Sequence, residues 1–228
     1  MIRKVFIFLV IALFTSNLFA QFPSKKDSGY KKMDYFHFET SWLTWLGKPD
    51  SNKVKALSHN FSVYVTYPLQ LGKSKINFVP GLGISVDNIY SNSRPKMDSA
   101  RTKVWLAPIP SSISYKNSKE TFTYLTIPVA FYYNAKGNSK SWKASLGFRF
   151  NYLIGSNSKY KGNDVLGNAE KIKTLNFPFA NRYRLDASFT LGYDFIYFVA
   201  NYGFTSYIAS GKGPQFQPLT FGVGVVGF

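Results

Sequence analysis

The 228-residue chain contains no cysteine, which excludes disulfide bonds, thiolate metal sites and cysteine nucleophiles. Histidine is scarce, with two residues, so a histidine-based metal centre is disfavoured and no metal or cofactor site is predicted. Acidic residues are few as well, since 11 Asp and Glu stand against 28 Lys and Arg. Apart from one short N-terminal run, no apolar stretch approaches the roughly 20 residues of a membrane-spanning helix. These absences disfavour a helical membrane protein and most enzyme chemistries.

The N-terminal segment is predicted to be a secretory signal peptide. Arg3 and Lys4 supply its positive start, residues 5–14 form an apolar core, and a short stretch of small or polar residues ends at Ala20. The formal net charge of the whole chain is +17. An exported protein this basic is expected to lie near an anionic surface. The predicted parts of the chain are a signal peptide at 1–20, a short periplasmic tail at 21–32 and a β-barrel at 33–228.

The rest of the chain alternates between apolar and polar residues with the period of two that is typical of β-strands. The pattern is most regular at residues 183–193, where large apolar residues occupy the odd positions and mostly polar residues the even ones. No segment shows the pattern of an amphipathic helix, so the chain is predicted to be all-β. The eight predicted strands are 35–45, 59–69, 76–90, 121–133, 142–154, 183–193, 195–207 and 219–228.

The connections between these strands alternate between short turns and long links. This alternation puts all the short turns at one end of the strand array and all the long links at the other, as in an antiparallel up-and-down barrel of the bacterial outer membrane. In such barrels the long loops are extracellular, the short turns are periplasmic, and an even strand number makes both termini periplasmic. The long links are residues 47–57, 91–119, 155–182 and 208–216.

A soluble, lipocalin-like barrel has the same alternation as an outer-membrane barrel. The two kinds of barrel are distinguished by whether the large aromatic rings face the interior or the outside. An eight-stranded barrel has a bore just wide enough for side chains to fill or for one small ligand. Rings on nearly every strand would overfill it, whereas the opposite face carries Gly, Ser and Thr among scattered charges. The rings are therefore expected to face lipid, with a narrow polar lumen inside.

Aromatic residues at the strand ends are expected to lie at the two membrane interfaces. Near the short turns these interfacial aromatics are Tyr35, Tyr67, Tyr133, Trp142, Tyr193 and Tyr197. A second, looser group toward the long links includes Trp45, Tyr90, Tyr152, Tyr183 and Tyr207.

The export signal, the eight strands, residues 124–128 (YLTIP) leading into residues 131–133 (FYY), and the terminal Phe228 resemble the PorT-type outer-membrane β-barrel family. The resemblance covers most of residues 33–228. It implies a component of a secretion apparatus, and a terminal aromatic, here Phe228, that is presented to the barrel-insertion machinery. The chain departs from the family at Thr126, where an acidic residue often stands. Because Leu219 and Val225 have the opposite parity to Phe228, a β-bulge at Val225–Val226 is expected.

A group of charged residues shares the lumen-facing positions. Such charges are costly in a narrow interior unless they are paired and hydrogen-bonded. Arg149 and Asp186 lie at similar height on adjacent strands, so an ion pair between them is expected. The group is interpreted as a polar plug that fixes the barrel register, with an ion pathway as the alternative. The predicted lumen network is Glu39, Lys143, Arg149, Arg184 and Asp186.

The long links hold most of the basic residues of the mature chain. If that end is extracellular, the nearest anions are the phosphates of lipopolysaccharide, which Lys and Arg bind through charge-assisted hydrogen bonds. Solvated, mobile loops are the alternative. The candidate phosphate ligands are Arg94, Lys96, Arg101, Lys103, Lys171 and Lys173.

Two classes of function stay open at this point. The first is a non-enzymatic structural or interaction barrel with a possible envelope protein partner; the second is a narrow pore or small-ligand barrel. His59 with Ser58 and Ser62 invites comparison with lipid A deacylases. An enzyme is nevertheless disfavoured, because Ser62 points away from His59. His37, near Glu39, is interpreted as an interior residue. Nucleic acid is not expected as a partner of an exported protein.

Overall fold

The computed structural model describes residues 35–47, 49–72, 74–135, 140–164 and 166–227. None of these residues is helical, and among them no helix could cross a membrane. The predicted signal peptide at 1–20, the predicted tail at 21–32 and the terminal Phe228 lie outside the described residues.

The described residues form strands joined by turns and loops. Eight strands make a closed antiparallel ring in the order β1-β2-β4-β7-β8-β10-β11-β12, and β12 pairs with β1 to close it. This confirms the predicted eight-stranded antiparallel barrel. The strands are β1 (Phe36–Leu46), β2 (His59–Thr66), β3 (Leu69–Gln70), β4 (Ile76–Tyr90), β5 (Ser93–Met97), β6 (Val104–Pro108), β7 (Tyr115–Asn134), β8 (Trp142–Asn163), β9 (Ala169–Leu175), β10 (Tyr183–Tyr193), β11 (Ile196–Gly203) and β12 (Gln217–Gly227).

Additional strands extend the barrel at the long-loop end. β7 and β8 are 20 and 22 residues long, and β9 pairs with the far half of β8, so these three strands form a ribbon beyond the ring. β5 and β6 form a separate hairpin. The predicted bounds of β4 and β10 match the structure, but β7 and β8 were predicted too short because their outer halves carry polar residues on both faces.

The outside of the ring is covered by large apolar side chains. Trp142, Leu146 and Phe150 on β8 are 61%, 65% and 53% exposed in the isolated chain, whereas Gly147 and Arg149 between them point inward. Gly147 lies so close to β7 that an added Cβ would stand 2.2 Å from the carbonyl oxygen of Val129. The prediction that the rings face outward is confirmed, and an apolar belt of this extent needs lipid rather than water around it.

The aromatic residues beside the short turns divide between the two faces. Those exposed on the outside are Tyr35, Tyr67, Tyr133, Trp142 and Tyr193. The interfacial assignment of Tyr197 was wrong, because its neighbours Ile196 and Phe198 hold the outward positions of β11 and Tyr197 points into the lumen. The expected bulge at Val225–Val226 was also wrong, since β12 pairs with β1 without a register shift up to Gly227.

An apolar cluster fills the lumen at the long-loop end. It joins inward-facing ring residues to residues of the loops, including Val104 and Leu106 of β6. Trp45 and Tyr207, predicted to lie at the second membrane interface, are buried in this cluster instead because the loops fold over the barrel mouth. The cluster is here called the apolar cap: Leu43, Trp45, Ile89, Val104, Leu106, Phe122, Tyr124, Phe177, Tyr207, Ile208 and Phe216.

Candidate functional site

One buried ion pair crosses the lumen from β1 to β8. The Arg149 guanidinium donates two hydrogen bonds to the Glu39 carboxylate, Nη1 to Oε2 at 2.7 Å and Nη2 to Oε1 at 2.9 Å. The Tyr64 and Tyr197 hydroxyls also donate to Glu39 Oε1, and Arg149 Nε donates to Ser188 Oγ at 3.1 Å. We call these residues the Glu39 cluster: Glu39, Tyr64, Arg149, Ser188 and Tyr197. Every charged atom in the cluster therefore has a hydrogen-bond partner.

A second group lies closer to the apolar cap and joins β4 to β10. Arg184 donates through Nη1 to Asp87 Oδ2 at 2.5 Å and through Nε to Asp186 Oδ1 at 2.9 Å. Tyr207 Oη donates to Asp87 Oδ2 at 2.7 Å, and the guanidinium lies 4.4 Å from the centroid of the Tyr124 ring. We call these residues the Arg184 cluster.

The predicted ion pair between Arg149 and Asp186 was wrong. The two residues are directly opposite each other on β8 and β10, as their heights indicated, but each side chain finds another partner. β8 and β1 lie four places apart in the ring of eight, so Arg149 spans the bore instead of reaching sideways. A bore this narrow lets a long side chain meet the opposite wall.

Asp87 is the principal lumen residue absent from the sequence prediction. It is buried, and it accepts hydrogen bonds from Arg184, Tyr207 and Asn60. Its place on the inward parity of β4, in line with Gly83 and Ser85, was the signal that could have found it.

The lumen near the short turns contains a cavity of about 60 Å³. Lys143 lies buried at its wall, with His37 and Thr190 also lining it. His37 contacts the Tyr197 hydroxyl at 3.2 Å and Thr66 Oγ1 at 3.1 Å, and its ring stacks on that of Tyr64. The Glu39 cluster closes this cavity on the side of the apolar cap.

The sequence matches the family described as outer membrane protein beta-barrel domain over residues 19–209, most of its length. The chain belongs to this family. This outer membrane barrel protein therefore lies in the bacterial outer membrane, in accord with its closed ring and apolar exterior.

Two solved structures of Ail, the attachment invasion locus protein of Yersinia pestis, are similar to this outer membrane barrel. Ail in complex with the heparin analogue sucrose octasulfate is 10% identical, with a TM-score of 0.34. Ail alone is 12% identical, with a TM-score of 0.36. Both similarities cover 85% of this chain and 98% of the Ail chain. No curated protein sequence matches the chain.

The histidine and serine residues considered for catalysis do not form a nucleophile and base pair in this outer membrane barrel. His59 Nδ1 lies 2.8 Å from the Leu57 carbonyl oxygen, and its Nε2 lies 3.2 Å from Asn88. Ser62 points into the lumen, where its hydroxyl lies 3.0 Å from both Asn60 Oδ1 and Ser85 Oγ, while Ser58 donates to the Tyr90 carbonyl. Within the described ranges, no three potential ligands among His, Asp and Glu are grouped as a metal site.

The predicted phosphate ligands occupy two separate parts of the long-loop end. Arg94 on β5 is paired with Glu170 of β9 at 3.1 Å and stacks 4.0 Å above the Tyr160 ring, which fastens the hairpin to the ribbon. The other five side chains are exposed. Those on or beside the hairpin are Lys96, Arg101 and Lys103, and those on β9 are Lys171 and Lys173.

A buried carboxyl group lies where the β5–β6 hairpin joins the barrel, above the apolar belt. Glu120 Oε2 accepts a hydrogen bond from Ser91 Oγ at 3.4 Å, and Oε1 has no hydrogen-bond partner. Burial raises the pKa of Glu120 from its ordinary value of 4.5 to about 8, and the bond from Ser91 opposes this shift only in part. The carboxyl group is therefore protonated and neutral at pH 7.

The raised pKa of Glu120 predicts a barrel that loses stability as the pH rises. Between 4.5 and about 8 the folded chain holds a proton that the unfolded chain releases, so the free energy of unfolding falls across this range and levels off above it. Thermal melts in micelles at pH 5 to 9 should show this decline, and Glu120→Gln should remove at least half of it. Glu170→Gln, which alters a carboxylate of β9 that is one-third exposed, is the control and should leave the slope unchanged. Equal slopes in the parent and Glu120→Gln would contradict the assignment.

Proposed function

We propose that this protein is a non-enzymatic barrel with a structural or interaction role in the outer membrane. Its long loops are extracellular, and its turns and both termini are periplasmic. Support for this orientation comes from the segregation of short turns and long loops to opposite ends of the ring, together with the arrangement usual in bacterial outer-membrane barrels.

The observation that carries the proposal is a lumen closed at three levels. The Glu39 cluster spans the bore, the Arg184 cluster lies above it, and the apolar cap fills the mouth. Between the two clusters there is a cavity of about 10 Å³, roughly the space of one water molecule. An ion would have to displace a buried bidentate ion pair and then cross a dry apolar layer.

A closed lumen predicts that the purified barrel conducts no steady ion current. In planar bilayers at 1 M KCl, we expect no discrete open level at ±100 mV, whereas a general porin inserted by the same procedure shows one. Insertion of the silent protein is checked by protease protection in matched liposomes. A reproducible single-channel level from the inserted protein would overturn the structural assignment in favour of a narrow pore.

The second candidate function, binding of a small ligand in the lumen, is less well supported. The cavity of about 60 Å³ holds a few water molecules. Sites for drug-sized ligands are about 300–1,000 Å³, so this cavity is far too small for one.

The finer part of the proposal is a component of a secretion apparatus, as the PorT resemblance implies. The hairpin supplies a surface for an envelope protein partner, since Trp105 and Met97 are about half exposed on it. Lipopolysaccharide is the proposed lipid partner of the basic long-loop end, and Phe228 is the proposed signal to the barrel-insertion machinery. These assignments stand on the sequence pattern and, for the hairpin and the basic loops, on the exposure of the loop residues.

A further inference from the structure

The ribbon formed by β7, β8 and β9 has five lysines on one face. Lys119 of β7 is directly opposite Lys159 of β8, and Lys159 is directly opposite Lys173 of β9. One row farther from the membrane, Lys161 is opposite Lys171. We call this surface the lysine face: Lys119, Lys159, Lys161, Lys171 and Lys173.

The acidic residues of the same ribbon do not neutralise the lysine face. Glu170 is on the alternate parity of β9 and pairs with Arg94 of the hairpin on the other side. Asp164 lies in the turn, where its carboxylate accepts hydrogen bonds from the backbone N–H groups of Leu166 and Asn168. Like charges directly opposite each other weaken a strand pair, so two such rows favour an anion that bridges them.

The height of the lysine face relative to the apolar belt indicates which anion it meets. Leu125 of β7 and Tyr152 of β8 form the last apolar pair on the outside of these strands, with Ile154 exposed just beyond Tyr152. Lys119 lies six residues before Leu125 on the same face, farther from the membrane. Six residues span about 20 Å of strand, or about 14 Å of height at a tilt near 45°. Lysine side chains are long enough to reach back toward the bilayer, so we expect their ammonium groups to lie beside the lipid headgroups.

The free end of the ribbon also provides room for a headgroup. An open cleft of about 320 Å³ lies between the start of β7 and the β8–β9 turn. Its lining includes Lys116, Lys161 and Lys171, with Glu170 as the one carboxylate. The row of paired lysines thus continues into a concave surface with an excess of positive charge.

We propose that the lysine face binds the phosphate groups of the phosphorylated glycolipid in the outer leaflet around the barrel. The inference rests on the proposed orientation and deepens it by assigning the lipid contact to the side of the ribbon rather than to the hairpin. Of the six phosphate ligands predicted from sequence, Lys171 and Lys173 belong to this face, whereas Arg94 is occupied by Glu170. Lys119, Lys159 and Lys161 are added by the strand register.

A charge-matched pair of variants tests the proposal. The full mature chain is refolded in uncharged detergent and titrated with diphosphoryl lipid A, and the bound lipid is counted by native mass spectrometry. Removing four charges from the lysine face should raise the apparent Kd at least tenfold, whereas removing four from elsewhere in the long loops should change it less than twofold. The first variant is Lys159→Gln, Lys161→Gln, Lys171→Gln and Lys173→Gln; the control is Lys53→Gln, Lys96→Gln, Arg101→Gln and Lys103→Gln, whose side chains are also exposed.

Further arms of the titration identify the source of the phosphate. Inorganic phosphate at the concentration of lipid A should not compete, and phosphatidylcholine should not bind above background. Equal loss of affinity in both variants, an unchanged Kd in the first, or full competition by inorganic phosphate would each overturn the assignment. Both variants must show the parental heat-dependent gel mobility, which establishes that the barrel is folded.

A separate measurement reports on the orientation alone. Because the chain has no cysteine, Ala100→Cys in the hairpin turn and Ser74→Cys in a short turn each provide a unique thiol. On intact cells an impermeant maleimide should label the first and not the second. Reversed labelling would overturn the proposed orientation. Correct labelling, together with unchanged lipid A binding by the variant that lacks Lys159, Lys161, Lys171 and Lys173, would overturn only the assignment of the lysine face.

Discussion

Arg184→Ala is expected to destabilise the barrel by at least about 5 kcal/mol, or to prevent refolding in micelles. Removing one partner of a buried ion pair typically costs about 3–5 kcal/mol, because the remaining charge is left without compensation. Arg184 serves two carboxylates, Asp87 and Asp186, whose side chains are 1% and 5% exposed. Its loss therefore leaves two buried negative charges that repel each other.

The free energy of unfolding can be measured by urea titration in micelles, followed by tryptophan fluorescence. Arg182→Ala is the matched control, since Arg182 is exposed two residues away, and it should change the free energy by less than about 0.5 kcal/mol. Replacing all three charges together, as Asp87→Asn, Arg184→Met and Asp186→Asn, should restore much of the loss. A stability of Arg184→Ala within about 1 kcal/mol of the parent would show that the cluster is not closed as described.

Arg149→Ala is expected to lower the free energy of unfolding by about 3–5 kcal/mol. The substitution removes both hydrogen bonds to Glu39 and leaves its carboxylate buried between two tyrosine hydroxyls. Arg149→Lys should recover only part of the loss, because an ammonium cannot make the two parallel bonds of a guanidinium.

A double-mutant cycle separates the ion pair from the packing around it. Glu39→Gln combined with Arg149→Met should be less destabilised than Arg149→Met alone, since no buried charge is then left unpaired. The same urea titration measures all four corners of the cycle. Additive effects of the two substitutions would contradict a direct interaction between Glu39 and Arg149.

The membrane-spanning strands could be predicted because their alternation is unbroken. β4 and β10 begin and end where the period of two begins and ends, and the outward rings follow from the volume of an eight-stranded bore. The ribbon was missed because the outer halves of β7 and β8 carry mostly polar residues on both faces, so they show no apolar alternation. The hairpin was missed because its two strands are only five residues long, too short to show a period. Trp45 was misplaced because it was assigned by its place at a strand end, although it shares the inward parity of Glu39 and Leu43 on β1.

The sequence shows that the charged residues of the lumen lie on the inward face of their strands, but it does not show which residues they pair with. Parity puts Arg149 and Asp186 inside at one height, and a prediction limited to neighbouring strands pairs them. The actual partners lie across the bore, at positions set by strand tilt and barrel diameter, which no single strand encodes. Tyr197 shows a different error. It was assigned to the membrane interface because it is an aromatic residue at a strand end, although its position in the alternation puts it on the inward face of β11.

The seam between β1 and β12 makes closure of the ring depend on the presence of β12. The two strands pair residue by residue from Leu46 with Gln217 to Phe36 with Gly227, so the C-terminal strand of the ring meets its N-terminal strand. A nascent chain that stops short of β12 would turn the unpaired backbone of β1 toward hydrocarbon, where each unsatisfied group costs several kcal/mol. A chain that lacks β12 is therefore expected to insert poorly into the bilayer, because the unpaired edge of β1 opposes its own burial in hydrocarbon.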